Sequence, residues 1–337
     1  MVSLIACRGC KLQRNLTLEF VRVTEEAAIA AARWLGKGDK NSADQAAVNV
    51  MRKRFSSMDI DATVVIGEGE RDEAPMLFIG EKIGTGKGPK CDIAVDPLEC
   101  TNSVAYGRPN AISVLASAPA GSLLGAPDTY MNKIAVGPLA RGKVDLDASP
   151  AENINAVAEA LGKSVDEVTV VVLERDRHEK LIKDIREMGA RIQLIPDGDV
   201  SGAIAPSMDG SGVDMLLGIG AAPEGVLAAA AIKCLGGEIQ GRLAFRNDEE
   251  RKRAEKMGMR DFEKKMKTED LVKGDDAVFA ATGVVTGLLL DGVKFTQEGV
   301  ITSSIVMRSK SGTIRFVKAM HKLDHSAHKK EAMEQKG

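Results

Sequence analysis

The sequence predicts an α/β fold with a mostly parallel sheet, on three observations. From about residue 168 the chain alternates apolar runs (VTVVVL, RIQLIP, VDMLLGIG) with helical patterns (RHEKLIKDIREMG, PEGVLAAAAIKCLG), the rhythm of βαβ units. Two earlier runs, ATVVIGE and CDIAVD, are short buried strands that each end on an acid, the position where α/β sheets place their sites. Aromatic residues make up only 3% while Gly numbers 34, so the core is assigned to Ala, Val, Ile, Leu and Met around many tight turns.

The elements follow in order. The opening MVSLIACRGCKL is too short and too weakly apolar for a secretory signal and reads as a loose extension; its lone Cys7-x-x-Cys10 has no second pair and is given no metal or redox role. Leu16, Phe20, Val23, Ala27, Ile29 and Leu35 recur at near-helical spacing, with Gly36 and Gly38 as the stop. GDKNSADQAAVNVMRKRF reads as a loop, a cap at Asn41 or Ser42 and a second helix. AISVLAS and KIAVG are further apolar runs, and SPAENINAVAEALG is a helix with a Ser or Pro start and a Gly stop. A short helix is expected after DGD. The charged stretch 246–270 predicts a solvated helix pair, AVFAATGV a buried run, and ITSSIVMRS and GTIRFVKAM two strands. His178 opens a charged helix as an anion contact or a surface residue, while His321, His325 and His328 belong to a tail, frayed from about residue 322. The chain is divided into an N-terminal half, 1–163, and a C-terminal half, 164–337, forming one integrated unit.

Composition excludes several functions. A net charge of −2 and the absence of a basic stripe interleaved with aromatics argue against nucleic acid, so the charge of an anionic substrate must be met locally. Five scattered cysteines suit a reducing compartment, and no run reaches the roughly 18 apolar residues of a membrane span. The expected location is cytoplasmic.

Acids recur at element ends: Asp44 at a helix start, Glu68 in VIGEGE, Asp96 and Glu99 in DPLECT, and Glu224 in GIGAAPEG. Carboxylates without Cys or His partners select Mg²⁺ or Mn²⁺ over zinc. Pro97 fixes the turn between Asp96 and Glu99 so that both can face one centre. Thr101 and Asn102 follow where the chain enters a helix or turn, and a Thr hydroxyl beside activated water can accept or donate a proton. Such a set suits a phosphomonoesterase. The phosphate-loop candidates fail: Lys87 of GTGKGPK is followed by Gly88 rather than Ser or Thr, and GIGAAPEG has Pro223 where a dinucleotide motif needs Gly.

As a set, GDKNSAD, VIGEGERDEAPMLFIGEK, DIAVDPLE-x-TN, APDTYM, IPDGDV and GIGAAPEGV resemble the class II fructose-1,6-bisphosphatases of bacteria, including the cyanobacterial type that also cleaves sedoheptulose 1,7-bisphosphate. The resemblance runs from about residue 16 to about residue 322. It implies a layered α/β/α/β/α sandwich of the lithium-sensitive phosphatase superfamily, a Mg²⁺ or Mn²⁺ cofactor and a homo-oligomer, dimer or tetramer. Carried over by motif, Asp44 and Glu68 would hold one metal and Asp96, Glu99 and Glu224 the other. Thr101, Asp72 and Glu68 would act in catalysis. The sugar bisphosphate would meet Glu99, Cys100, Thr101, Tyr130, Arg175, Asp176, Arg177, Asp197, Gly198, Asp199 and Ala221, with Arg175 and Arg177 clamping the phosphate that is retained.

Three positions depart from the resemblance: Cys100 and Ala221 stand where the family carries Gly, and Asp176 where it carries Pro. A Gly at such places signals positive φ or close backbone approach, which a Cβ can obstruct. An exposed Cys100 would make the enzyme sensitive to peroxide. Two other readings stay open: a phosphatase for inositol phosphate or another small phosphate, and a sugar-phosphate-binding protein with weakened catalysis.

Overall fold

The structure, a computed structural model, describes residues 10–69 and 76–322, with side chains from residue 16 onward. Cys7, Asp72, His325 and His328 lie outside the described residues. Helix α1 (Cys10–Ala32) buries Phe20, Val23, Ala27, Ala28 and Ala31. The turn after it is tied down where Gly36 and Gly38 donate their N–H groups to the Val104 and Ala105 carbonyls, each at 2.9 Å. Helix α2 (Lys40–Phe55) is capped by Asp39, whose carboxylate accepts the Ser42 N–H at 3.0 Å. The cap is therefore neither Asn41 nor Ser42, because the acid ahead of the helix already reaches its third N–H.

Strands β1 (Asp61–Ile66), β2 (Lys82–Ile83) and β3 (Lys90–Glu99), the short helix α3 (Thr101–Tyr106) and β4 (Ile112–Pro119) begin the first sheet. The chain then builds the second from β5 (Tyr130–Val136), α4 (Pro150–Leu161), β6 (Thr169–Leu173), α5 (Glu179–Glu187), β7 (Arg191–Ile195), α6 (Val200–Ile204), β8 (Met215–Ala221), α7 (Ala222–Leu235), β9 (Glu238–Ala244), α8 (Asp248–Lys256), β10 (Met266–Lys267) and α9 (Thr268–Leu271). It returns to the first through β11 (Val278–Gly283), β12 (Lys294–Phe295), β13 (Val300–Arg308) and β14 (Thr313–His321). The strand orders are β12-β13-β11-β4-β3-β1-β2, with β14 on β13, and β10-β9-β5-β8-β6-β7.

The expected parallel sheet is corrected. Only β1/β3, β6/β7 and β6/β8 pair in parallel among the described strands; the other pairings are antiparallel. Strand β8 and helix α7 continue the alternating rhythm of the sequence, yet β5, from earlier in the chain, lies between β8 and β9 and pairs antiparallel with both. A strand–helix–strand rhythm cannot reveal such an insertion. The cut after residue 163 falls within the second sheet, because β5 lies before it and β11 to β14 rejoin the first sheet beyond it. The stretch 246–270 is also not a helix pair: α8 ends, Phe262 packs edge-on against Phe245 at 5.0 Å, and β10 and α9 follow. Strand β9, EIQGRLA, was not foreseen because Gln240 and Arg242 interrupt its apolar run. Gln240 is buried with its amide donating to the Val144 carbonyl at 2.9 Å.

The layers are α/β/α/β/α. Helices α1 and α2 cover one face of the first sheet, α6 and α7 lie in the middle layer, and α4 and α5 cover the outer face of the second. Helix α7 touches β3, β4, β11 and β13 on one side and β5, β8 and β9 on the other. That explains its sequence: Ala228 to Ala231 are all buried, as expected of a helix apolar all round and packed between two sheets. Phe279 of β11 is fully buried in this middle core, with Ala94, Met131 and Leu227 in the same cluster. Phe279→Ala should cost about 3–5 kcal/mol through lost burial and a residual cavity. The check is the denaturant midpoint; a shift within error of wild type would contradict this placement of β11.

Candidate active site

The acids converge as their positions at element ends suggest. Asp44 lies in α2, Glu68 just beyond β1, Asp96 and Glu99 at the end of β3, and Glu224 in the first turn of α7. The register of β3 against β4 shifts between Asp96 and Glu99, around Pro97, and Asp96 Oδ1 accepts the Leu98 N–H at 3.0 Å. One carboxylate oxygen each of Asp96, Glu99 and Glu224 lies within 4.8 Å of the others. Asp44 and Glu68 share a hydrogen bond, as do Asp96 and Glu99.

The crowding is visible in the acidities. Burial, then the charge of Asp44, pushes Glu68 up to about 8. Burial, then the neighbouring carboxylates, pushes Asp96 and Glu224 up to about 8 and Glu99 well above the ordinary range. Burial also raises Asp44. Glu224 Oε2 is buried with no hydrogen-bond partner. An orphaned oxygen among crowded carboxylates fits a hard divalent cation, and this cluster could hold one.

Cys100 follows these acids with φ 69° and ψ 52°, in the left-handed region, immediately before α3. The glycine-like backbone is thus kept although a side chain is present. Cys100 is buried, and burial, then the charge of Glu99, pushes its thiol well above the ordinary range, so the exposure on which peroxide sensitivity depended is absent. The sulfur packs on Gly198, where an added Cβ would come within 2.2 Å of Sγ and 2.5 Å of Glu99 Oε1. Ala221 is different: its φ of −76° and ψ of 150° suit any residue, so this departure carries no strain.

The opposite wall is cationic. Arg175 follows β6, donates to the Glu174 and Pro196 carbonyls and pairs with Asp197 Oδ1 at 3.2 Å. Arg177 donates through Nε and Nη2 to the Ile219 carbonyl at 3.1 and 2.7 Å, with its guanidinium 4.5 Å from the Tyr130 ring centroid. Neither is spent on an ion pair with Glu174 or Asp176. His178 is neither an anion contact nor a surface residue: it is buried, with Nδ1 2.7 Å from the Leu173 carbonyl and Nε2 accepting the Ile219 N–H at 2.8 Å. It therefore braces the carbonyl that holds Arg177. Asp197 Oδ2 accepts from the Asn102 amide at 3.1 Å, so both its oxygens are engaged. Asp199 pairs with Lys133 at 2.6 Å, both buried.

A single cavity of about 480 Å³ is lined by Asp44, Glu68, Asp96, Glu99 and Glu224 on one side and by Tyr130, Arg175 and Arg177 on the other. Cys100, Thr101, Asp197, Gly198, Asp199 and Ala221 complete the expected set, while Asp176 is not among the lining residues. Sequence reasoning missed Lys133 and Arg246. Arg246 lies 4.7 Å from the Tyr130 centroid and is held by Glu250. Lys133 had a signal, a lysine inside the otherwise buried run of β5.

Fold and cavity define a layered α/β protein that sets a carboxylate cluster able to hold a cation against a guanidinium wall, the arrangement a sugar phosphatase needs. The chain belongs to the family described as bacterial fructose-1,6-bisphosphatase, glpX-encoded, which it matches over residues 14–321. It is 47% identical to the D-fructose 1,6-bisphosphatase class 2/sedoheptulose 1,7-bisphosphatase of Thermosynechococcus vestitus (strain NIES-2133 / IAM M-273 / BP-1), over 91% of this chain and 96% of that one. It is 46% identical to the fructose-1,6-bisphosphatase 1 class 2 of Escherichia coli (strain K12), over 93% and 97%. Among solved structures, the extragenic suppressor protein suhB from Bartonella henselae aligns over 57% of this chain and 72% of that one, at 12% identity and a TM-score of 0.32, too distant to bear on this site.

Two outcomes are expected. In the folded, metal-free protein Glu68, Asp96 and Glu224 keep their protons up to about 8, whereas unfolding returns them to the ordinary carboxylate range, so the native state binds more protons at neutral pH. Stability from this source is full below about pH 4 and is lost as pH rises toward about 8. The melting temperature of EDTA-treated protein should therefore fall across that window, and saturating Mn²⁺ should flatten the slope; stability rising with pH in EDTA would refute the assignment. At position 100, Cys100→Gly should be more stable than Cys100→Ala by about 1 kcal/mol, since only Gly is free of the left-handed penalty. Equal denaturation midpoints for the two variants would show that the loop relaxes instead.

Proposed function

We propose that this chain hydrolyses the 1-phosphate of fructose 1,6-bisphosphate to fructose 6-phosphate and phosphate, with sedoheptulose 1,7-bisphosphate as a second substrate of the same pocket. One observation carries the reading: acids and arginines form opposite walls of one cavity. A bisphosphate has two anionic ends, one to be met by cation-loaded carboxylates and the other by guanidinium groups. The names of the two curated relatives, a class 2 fructose-1,6-bisphosphatase and a dual fructose/sedoheptulose bisphosphatase, support the same substrates.

Asp44 and Glu68 would hold one Mg²⁺ or Mn²⁺, and Asp96, Glu99 and Glu224 another. When bound, the ions supply Lewis acidity toward the phosphoryl group and its leaving oxygen. The chain supplies position and protons. Thr101 opens α3 on the cavity, where its hydroxyl would orient the attacking water, with Glu68 beside it and Asp72 as a further member of the proton network. Arg177, fixed on Ile219 and stacked near Tyr130, would hold the retained phosphate, and Arg175 would brace Asp197 beside it. Asp199 would accept from sugar hydroxyls. We assign the protein to the cytoplasm as a homo-oligomer; no helix among the described residues is long and apolar enough to cross a membrane.

Phosphate release should be measured with Mn²⁺ and Mg²⁺ on fructose 1,6-bisphosphate, sedoheptulose 1,7-bisphosphate and inositol monophosphate. Release from the two bisphosphates is expected, with Arg177→Ala raising KM by roughly tenfold or more and changing kcat less. Release from inositol monophosphate alone, or binding without release, would overturn the reading.

A further inference from the structure

Lys133 of β5 is 1% exposed, and its aliphatic stem lies against α7, where a Cβ added at Gly225 would come within 3.4 Å of Lys133 Cδ. Residues of β5 alternate between faces: Met131 and Ala135 join the middle core while Ile134 and Val136 join the outer one, which puts Lys133 on the inner face. Its ammonium donates to the Ala221 carbonyl at 2.8 Å and pairs with Asp199 Oδ2 at 2.6 Å. Space for this pair depends on Gly220, where a Cβ would come within 2.0 Å of Asp199 Oδ2 and 2.9 Å of Lys133 Nζ. A buried lysine is costly unless paired and hydrogen-bonded, so such accommodation for an ammonium beside a cavity calls for a reason.

The contacts supply one. Asp199 is the last residue of the loop 197–199, and the next residue, Val200, donates its N–H to Glu99 Oε1 at 3.3 Å. Ala221 immediately precedes the helix that carries Glu224. Lys133 thus ties the sugar-side loop to the end of β8, between two of the acids that could hold a cation. We propose that Lys133 is a positioning residue: it fixes one oxygen of Asp199 so that the other faces the sugar, and it balances the Asp199 charge so that this carboxylate is not drawn into the acid cluster.

This rests on the bisphosphatase reading of the cavity, and two measurements on wild type, Lys133→Met, Asp199→Asn and the double variant test it separately. The first is the KM for fructose 1,6-bisphosphate. Lys133→Met should raise it roughly tenfold in the wild-type background but less than about twofold in the Asp199→Asn background, because a residue acting through another loses its effect when that partner is gone. The second is Mn²⁺ binding by calorimetry, which requires no turnover. Asp199→Asn leaves an uncompensated ammonium near Glu224 and should weaken binding roughly fivefold; adding Lys133→Met should restore it to within about twofold of wild type. Lys133→Gln, which keeps a donor for the Ala221 carbonyl without the charge, is the second single variant and should repeat the Met result. Penalties that multiply in KM, or a double variant that binds Mn²⁺ more weakly than Asp199→Asn, would overturn the proposal. So would failure of both the Met and Gln variants to fold, which would make Lys133 a structural group only. Loss of the bisphosphatase reading itself would appear instead as absent turnover in wild type, with the Mn²⁺ comparison still decisive for Lys133.

Discussion

Carboxylates crowded in a poorly hydrated cleft repel one another, and much of the surrounding structure serves to hold them there. The cleft's acids stand at the ends of β1 and β3, in the second turn of α2 and in the first turn of α7, elements anchored by buried apolar residues that can offset local strain. Without a cation the protein meets the repulsion by retaining protons, which is why burial and neighbouring charge raise Glu68, Asp96, Glu99 and Glu224 together. A bound divalent cation would reverse that balance and favour the ionised forms. Stability and cation occupancy are therefore coupled in this fold through the same side chains.

Topology makes the convergence possible. The two sheets face a shared layer, and α7 spans it, carrying Glu224 at one end and small alanine side chains along its length. β3 belongs to one sheet, and β5, β6, β7 and β8 belong to the other. Acids from the first therefore meet Tyr130, Arg175, Arg177 and Asp199 from around the second across one cavity. Each wall is rigid because it is braced from behind: Arg177 by the Ile219 carbonyl, that strand end by His178, Asp197 by Asn102, and Asp199 by Lys133. Preorganised groups of this kind lose little freedom when a ligand arrives.

Cys100 shows how closely backbone and site are linked. A residue with a Cβ occupies left-handed space between a putting-in-place turn of acids and α3, and its sulfur lies against Gly198 of the loop that precedes Asp199. The thiol therefore belongs to the wall of the cavity as packing. Its neighbours leave little room for adjustment, because Glu99 sits on the same side of Gly198.

Much of the site is legible in the sequence alone. Apolar runs ending in acids located the strand ends, and six separated motifs indicated the family, since the acids, Thr101 and the arginine pair are local features of sequence. Position 100 was legible as a departure from the resembled motif, where Gly signals either positive φ or close backbone approach; the structure shows that it is positive φ. Strand direction was not: β5 enters between β8 and β9 from a distant part of the chain, and hydrophobic periodicity records burial but not the identity of a neighbour. Nor could it reveal that His178 is buried, that Asp197 is fully engaged, or that Lys133 holds Asp199. The sequence by itself determined which residues have the chemistry and at which element ends they stand, because propensity, turns and ligand type act over short spans. Only the tertiary structure decided which of them meet and what braces them, because an ion pair between β5 and the loop after β7 depends on how two sheets fold around one layer.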